Sequence, residues 1–254
     1  METLFIGKNS LFLHEVESTN TYAMNLLRNV NSIEGTVVYT DNQTAGRGQR
    51  GSVWSSKIGQ NITTSIILKP QFLSPDNTFY LSKISALAVY DVLTDILPNS
   101  QYDIKIKWPN DIIVDRKKIA GILIENNFST NAVLHSVIGV GFNVNQEEFG
   151  DFERVATSLK MLENKEFNRN EVMNILFWKL EKWYLKLKEH KMEVIDQYYL
   201  NYLFGLNEIL SFENIDKNRF EAKLIGVSKS GKLKLELNND DFKEFDIKEV
   251  KFLV

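Results

Sequence analysis

The stretch TDNQTAGRGQRGSVWSS, residues 40–56, decides how the rest of the chain is read. Its centre carries Gly46, Gly48 and Gly51, the two arginines Arg47 and Arg50, and no acid, and Trp54 closes it. Glycine lets a backbone approach a ligand closely, and runs of exposed N–H groups form concave anion-binding nests. Arg47 and Arg50 add fixed positive charge on planar, forked donors. Such a loop suits a phosphate beside a flat ring, and a nucleotide is the natural candidate.

The same loop excludes the commonest nucleotide sites. Residues 46–51 formally satisfy G-x-G-x-x-G, but a dinucleotide fingerprint needs a helix directly after the glycines and an acid about twenty residues on. Here Ser52-Val-Trp-Ser-Ser leads towards a strand, and Lys69-Pro70 stands where the acid belongs. No H-R-D or D-F-G follows, so the kinase form fails as well, and no Walker sequence is present.

Outward from the loop, residues 35–40 read as a strand leading in. Ile62, Thr64, Ile66 and Leu68 alternate with Thr63, Ser65 and Ile67 as a strand leading out, ended by Pro70. Upstream, the run Leu11-Phe-Leu-His14 is strand-like, and Ser18-Thr-Asn20 offers N-cap residues to a helix carrying Tyr22, Leu26 and Leu27. Those hydroxyls either cap the helix or face a ligand. Downstream, a helical stripe runs over 78–97. Ile104, Ile106 and Trp108 then share one strand face, with Lys105 and Lys107 on the other. Pro109-Asn-Asp111 breaks that strand, and residues 112–124 read as a hairpin whose polar turn is Asp115-Arg-Lys-Lys118. Another strand runs from Val133 to Phe142. From Glu171, apolar residues spaced by three and four define a long helix whose aromatics belong to the core. After about Leu206, short alternating runs around Ser230-Gly231 indicate a small all-β unit compatible with a partly open barrel.

Across its 254 residues, 43% hydrophobic and 25% charged content fits a folded protein with a proper core. A formal charge of −3 argues against a protein that lives on nucleic acid. Zero cysteines remove disulfides, a thiol nucleophile and thiolate metal sites. The histidines His14, His135 and His190 share no metal-ligand spacing and read as structural. No run approaches the roughly 18–20 apolar residues of a membrane span, and no signal peptide is seen. A cytoplasmic location is expected.

Taken together, Ser18-Thr-Asn20, residues 43–51 with Trp54, Lys107-Trp-Pro-Asn-Asp111, Lys118-Ile-Ala-Gly121 and Gly139-Val-Gly-Phe-Asn143 resemble biotin–protein ligases in order and spacing. The resemblance covers essentially the whole chain. It implies an α+β fold: a mixed sheet flanked by helices, the class II synthetase-like catalytic domain (1–206), followed by a small SH3-like β-barrel (207–254). It implies two half-reactions. Biotin and ATP, with Mg²⁺, give biotinyl-5′-AMP and pyrophosphate, and biotin then passes to one lysine of a biotin carboxyl carrier protein. No enzyme nucleophile is evident and none is required, so catalysis rests on positioning and charge stabilisation.

By the same resemblance, Lys118 neutralises the α-phosphate and biotin carboxyl oxygens. Arg47 and Arg50 hold the carboxylate and phosphate region, helped by the backbone of Gly46, Gly48, Gln49 and Gly51 and by Lys107 and Asn110. Asp111 orients Mg²⁺ or the incoming lysine, although an Asx turn after proline explains it equally well. Ser18, Thr19, Asn20 and Gln43 take the biotin ureido group, Gly121 admits the ring system, and Trp54 and Asn143 sit by adenine. Many family members carry arginines where Gln49 and Ser52 stand, which implies a less firmly held adenylate. Only 17 residues precede Ser18, too few for the helix-turn-helix domain of repressor members, so a ligase without DNA binding is expected. Exposed strands beside the site leave room for subunit pairing. Lipoate–protein ligase, which shares the fold type, and a non-catalytic biotin-binding module are the alternatives.

Overall fold

The chain enters on strand β1 (Ser10–Val16), crosses through helix α1 (Thr19–Asn29) and returns as β2 (Val37–Gln43), parallel to β1. The computed structural model describes residues 2–29, 32–98, 101–150, 155–237 and 241–253. After β2 the Gly-rich loop turns through one short 3-10 segment (Gln49–Gly51) into β3 (Ile62–Leu68), so no helix follows the glycines. Helix α2 (Phe79–Ile96) precedes the strands β4 (Ile104–Lys107), β5 (Asp111–Val114), β6 (Lys117–Phe128) and β7 (Val133–Phe142). A short helix α3 (Leu159–Glu163), the long α4 (Arg169–Lys188) and α5 (Met192–Asn201) follow. The chain finishes with β8 (Ile209–Asn214), β9 (Arg219–Val227), β10 (Leu233–Leu237), β11 (Asp241–Phe245) and β12 (Val250–Phe252).

Among the described residues, the first seven strands form one mixed sheet in the order β1-β2-β3-β7-β6-β5-β4. β3 is buried along its whole length, one face on the large core and the other under α1 and the loop that follows β2. Ile62, Ile66 and Leu68 point into the large core shared with α2 and α4. Ile67 joins Ala23, Val38 and Val137 under α1, a second and smaller core. α1 covers only part of that second face, and the uncovered part becomes the floor of the site described below.

Local chemistry explains the boundaries. α4 starts two residues before the expected Glu171, because Asn168 Oδ1 accepts the N–H of Asn170 (3.0 Å) and Glu171 (3.4 Å) as an N-cap. The polar turn of the β5–β6 hairpin is two residues rather than four. Asp115 and Arg116 both take positive φ (48° and 65°), the primed geometry that matches the right-handed twist of the flanking strands. Lys117 and Lys118 therefore belong to β6. The N-terminal segment is tied to α4 by Glu181, whose carboxylate accepts the N–H of Leu4, Phe5 and Ile6 at 2.6–2.9 Å.

The second sheet is antiparallel, in the order β11-β10-β9-β8-β12 among the described residues, and is compatible with a small barrel-like unit. Its inward residues Phe212, Leu224, Leu235 and Phe252 are continuous with the main core. Trp108 Nε1 donates to the Gly231 carbonyl (2.8 Å) across the two sheets. No described helix is long and apolar enough to cross a membrane.

Candidate active site

Strand register builds the site floor. One row across the sheet runs Thr40, Thr63, Gly141, Gly121 and Asp111; the next runs Val38, Ser65, Gly139 and Leu123. The third row includes Ile67 and Val137, already under α1, and then Glu125. Gly121 and Gly141, paired across β6 and β7, leave a shallow trough in an otherwise filled sheet, and Gly139 one row on makes room for Asn20. The cavity above it has a volume of about 610 Å³, in the range of small-molecule sites.

The Gly-rich loop roofs this trough with Trp54. A Cβ on Gly141 would lie 2.2 Å from Trp54 Cε2, and one on Gly121 would lie 3.2 Å from Cζ3, so the indole rests flat on bare backbone. The loop closes on itself through Trp54 N–H to Gly46 O (3.0 Å) and Gly48 N–H to Ser52 O (2.7 Å). Gly46 is required there because a Cβ would meet the Trp54 carbonyl at 2.1 Å. Gly46 thus shapes the loop without lining the cavity. Trp54 Nε1 and Gln49 Oε1 are buried and have no hydrogen-bond partner among the described residues. Two unsatisfied polar atoms on residues that line one cavity are what a polar ligand would complete.

Lys118 reaches the cavity through a β-bulge. Residues three apart on a regular strand face opposite sides, but the ladder between β5 and β6 slips at Ile112/Ile113, leaving one extra residue in β6. Lys118 and Gly121 therefore share the cavity. Lys118 Nζ lies 2.6 Å from Asp111 Oδ1 and 5.6 Å from the Trp54 ring centroid. Asp111 is buried, and the pair sets a cation and an anion side by side at the edge of the glycine trough. The backbone of Lys118 is fixed by exchange with the following segment, its N–H to Val155 O and its carbonyl to Thr157 N–H (both 2.9 Å).

At the other end, Gln43 Oε1 accepts the N–H of Thr19 (2.9 Å), and Ser65 Oγ bonds both Thr19 Oγ1 (2.8 Å) and Asn20 Oδ1 (2.6 Å). Ser18 lines the cavity and also caps α1, its Oγ accepting the N–H of Thr21 at 3.4 Å. Asn20 Nδ2 donates to Glu125 Oε2 (3.0 Å), which also accepts Arg47 Nη2 (2.7 Å).

Most expected residues thus meet in one place: Ser18, Thr19, Asn20, Gln43, Arg47, Gly48, Gln49, Gly51, Trp54, Asn110, Asp111, Lys118, Gly121 and Asn143 all line the cavity. Asn110 and Asn143 do so with their amides engaged, Nδ2 donating to Ile122 O (2.8 Å) and Thr157 O (3.0 Å). The structure does not bring Lys107 there. Its amine is buried over the rings of Phe204 (5.5 Å) and Phe252 (5.3 Å), held by the seam between the sheets. The side chain of Arg50 lies outside the described residues. Sequence reading missed Ser65, Glu125 and Lys251, the last placed on the cavity wall by β12.

No group of three or more His, Cys, Asp or Glu suited to hold a metal exists among the described residues. Among the described residues, one carboxylate, Asp111, lines the cavity. That donor set fits a magnesium ion carried in on phosphates and completed by a single protein carboxylate, the usual mode for Mg²⁺.

A sheet-backed trough, a folded-over Gly-Arg-Gly loop and a lysine–aspartate pair meet at one cavity. Residues 12–143 match the family model described as the Biotin/lipoate A/B protein ligase family, and the chain belongs to that family. The bifunctional ligase/repressor BirA of Bacillus subtilis (strain 168) is 32% identical over 241 residues, 94% of this chain and 72% of that protein. The biotin–[acetyl-CoA-carboxylase] ligase of Paracoccus denitrificans is 34% identical over 132 residues, 52% of this chain and 53% of that one. Among solved structures, biotin protein ligase from Aquifex aeolicus in complex with biotin and ATP is similar with a TM-score of 0.79 at 27% identity, covering 96% of this chain and 98% of that one. The resemblance carried by the five sequence blocks is borne out.

Proposed function

We propose that this chain is an ATP-dependent biotin–protein ligase that forms biotinyl-5′-AMP and transfers biotin to a lysine of a biotin carboxyl carrier protein. The observation that carries the reading is the single cavity that joins the Ser18–Thr19–Gln43 pocket to the Lys118–Asp111 pair beneath Trp54. The relatives named above point the same way.

In the first half-reaction a carboxylate oxygen of biotin attacks the α-phosphorus, and pyrophosphate leaves with the electron pair of the P–O bond. Three negatively charged groups meet, so the chain's main task is to neutralise and align them. Lys118, oriented by Asp111, supplies its ammonium where carboxylate and α-phosphate oxygens converge. Arg47 and the N–H groups of residues 49–51 hold the anions from the loop side, and Lys251 adds a cation from the opposite wall. Ser18, Thr19 and Gln43 offer donors and acceptors in the pattern a ureido group needs. Trp54 and Asn143 would flank the adenine. Magnesium on the phosphates would screen charge, with Asp111 as its protein ligand.

In the second half-reaction the acceptor lysine amine attacks the acyl carbonyl, the C–O bond to phosphate breaks, and AMP leaves. Asp111 would orient that amine, its pairing with Lys118 setting an anion at this edge of the cavity. We further propose the division into residues 1–206 and 207–254 and a cytoplasmic location. The net charge of −3 supports a ligase role without DNA contact. Repression, the other activity in the Bacillus protein's name, is outside the proposal.

The test is biotin-dependent exchange of pyrophosphate into ATP, with lipoate in parallel because the family model spans both acids. Exchange with biotin alone supports the reading. Exchange with lipoate alone moves the chain to the sister activity, and binding of biotin without exchange makes it a binding module.

A further inference from the structure

Arg47 is expected on the ligand, yet its guanidinium is already engaged. Nη2 donates to Glu125 Oε2 at 2.7 Å, and among the described residues this is its one side-chain hydrogen bond. The same Glu125 oxygen accepts Asn20 Nδ2 at 3.0 Å. Asn20 also donates to Leu123 O (3.2 Å) and accepts from Ser65 Oγ (2.6 Å), which in turn contacts Thr19 Oγ1 (2.8 Å), whose own residue is held by Gln43. A continuous polar chain therefore runs from the Thr19–Gln43 pocket through Ser65, Asn20 and Glu125 to the Gly-rich loop.

The register explains why an acid stands there. Glu125 follows Gly121 and Leu123 on the site face of β6 but lies one row beyond the trough, opposite Val137, just outside the cavity lining. From that place its carboxylate touches Arg47 without occupying the space a ligand would fill. A guanidinium has five donors in a rigid fork, so a partner on Nη2 leaves Nη1 and Nε free to aim at an anion.

We propose that Glu125 is the positioning residue for Arg47. Its carboxylate presets the guanidinium along the sheet face and, through Asn20 and Ser65, couples the loop's arginine to the pocket of Thr19 and Gln43. This inference rests on the ligase reading. The Arg47–Glu125 pair is half-exposed, with side chains 45% and 29% accessible, so as a stabilising surface ion pair it contributes little. Its role is orientation: holding one nitrogen reduces the rotamer freedom that a long side chain must lose when the ligand arrives.

The experiment is pyrophosphate exchange on the full chain, wild type against Glu125→Gln, Arg47→Ala and the double variant, with melting temperatures alongside. Inactive wild type would overturn the ligase reading itself; the proposal is judged with active wild type. We expect Glu125→Gln to raise the KM for biotin about tenfold, the lower end of what one charge-assisted hydrogen bond is worth. The kcat stays within about twofold, since the contact serves ground and transition states alike. In the Arg47→Ala background the same substitution has no further effect, the signature of a shared interaction. Equal effects in both backgrounds, or an unchanged KM, would overturn the proposal. Glu125→Asp, which keeps the charge on a side chain one methylene shorter, is the second variant should Glu125→Gln fold poorly. It should give a smaller rise in KM, again abolished in Arg47→Ala.

Discussion

Lys118 shows how much a single backbone irregularity decides. Without the bulge after Ile112 its ammonium would leave the opposite side of β6 from Gly121, and Asp111 would be left as a buried acid with a different partner set. Lys118→Ala is expected to lower pyrophosphate exchange by on the order of 10²–10³ while the fold, followed by circular dichroism, is unchanged. Gly141→Ala tests the floor: its methyl would sit 2.2 Å from Trp54 Cε2, so the indole must lift away. The expected result is weaker binding of biotin and ATP in calorimetry and a red-shifted tryptophan emission. That Arg47, Trp54 and Lys118 meet at one cavity was legible in the sequence because their spacing is local and chemically unusual. Glu125 was not, since an acid after Ile124 near a strand end reads as a solvated position, and its partner Asn20 is 105 residues away in the chain. Lys107 was misplaced for a similar reason: alternation gives its side of β4 but not that Phe204 and Phe252 wait there.

At the level of elements, periodicity located the strands of the main sheet and the helices α1, α2 and α4, because burial on one face imposes the two repeats of 2 and 3.6 residues, but it did not single out α3, α5, β8, β11 or β12. It did not reveal β3 as covered on both faces, since Thr63 and Ser65 look like a polar side until α1 and the site are seen above them. The α2–α4 contact offers an independent test. Trp183 Nε1 donates to Asp91 Oδ2 (2.9 Å) in this seam, and burial pushes the Asp91 carboxyl up, outweighing that hydrogen bond and the nearby Lys179. The folded chain therefore keeps a proton that the unfolded chain releases near the ordinary value of 3.8. Stability from this group is present below that pH and is lost as pH rises through the raised folded value. Asp91→Asn keeps an oxygen for Trp183 and removes the decline, so urea midpoints of the variant should fall less steeply than wild type over that window.

For the whole molecule, the seam between the two sheets matters most, because β12 supplies one wall of the cavity and Trp108 supplies the fastening. Trp108→Phe leaves the buried Gly231 carbonyl without its donor, which should lower unfolding free energy by about 1–3 kcal/mol in denaturant titration. It should also weaken ATP binding, as β12, which carries Lys251 on the cavity wall, is less firmly held. The cavity is lined by residues from Ser18 to Phe252. This wide span has a consequence for amide hydrogen exchange. A ligand protects only those openings that destroy its site, and here almost any partial opening, of the loop, of α1 or of the terminal strands, does so. Saturating ligand should therefore raise the protection of amides far from the cavity, including those of β8 and β9, nearly as much as those beside it, so that a chain with many local opening events exchanges as one cooperative unit.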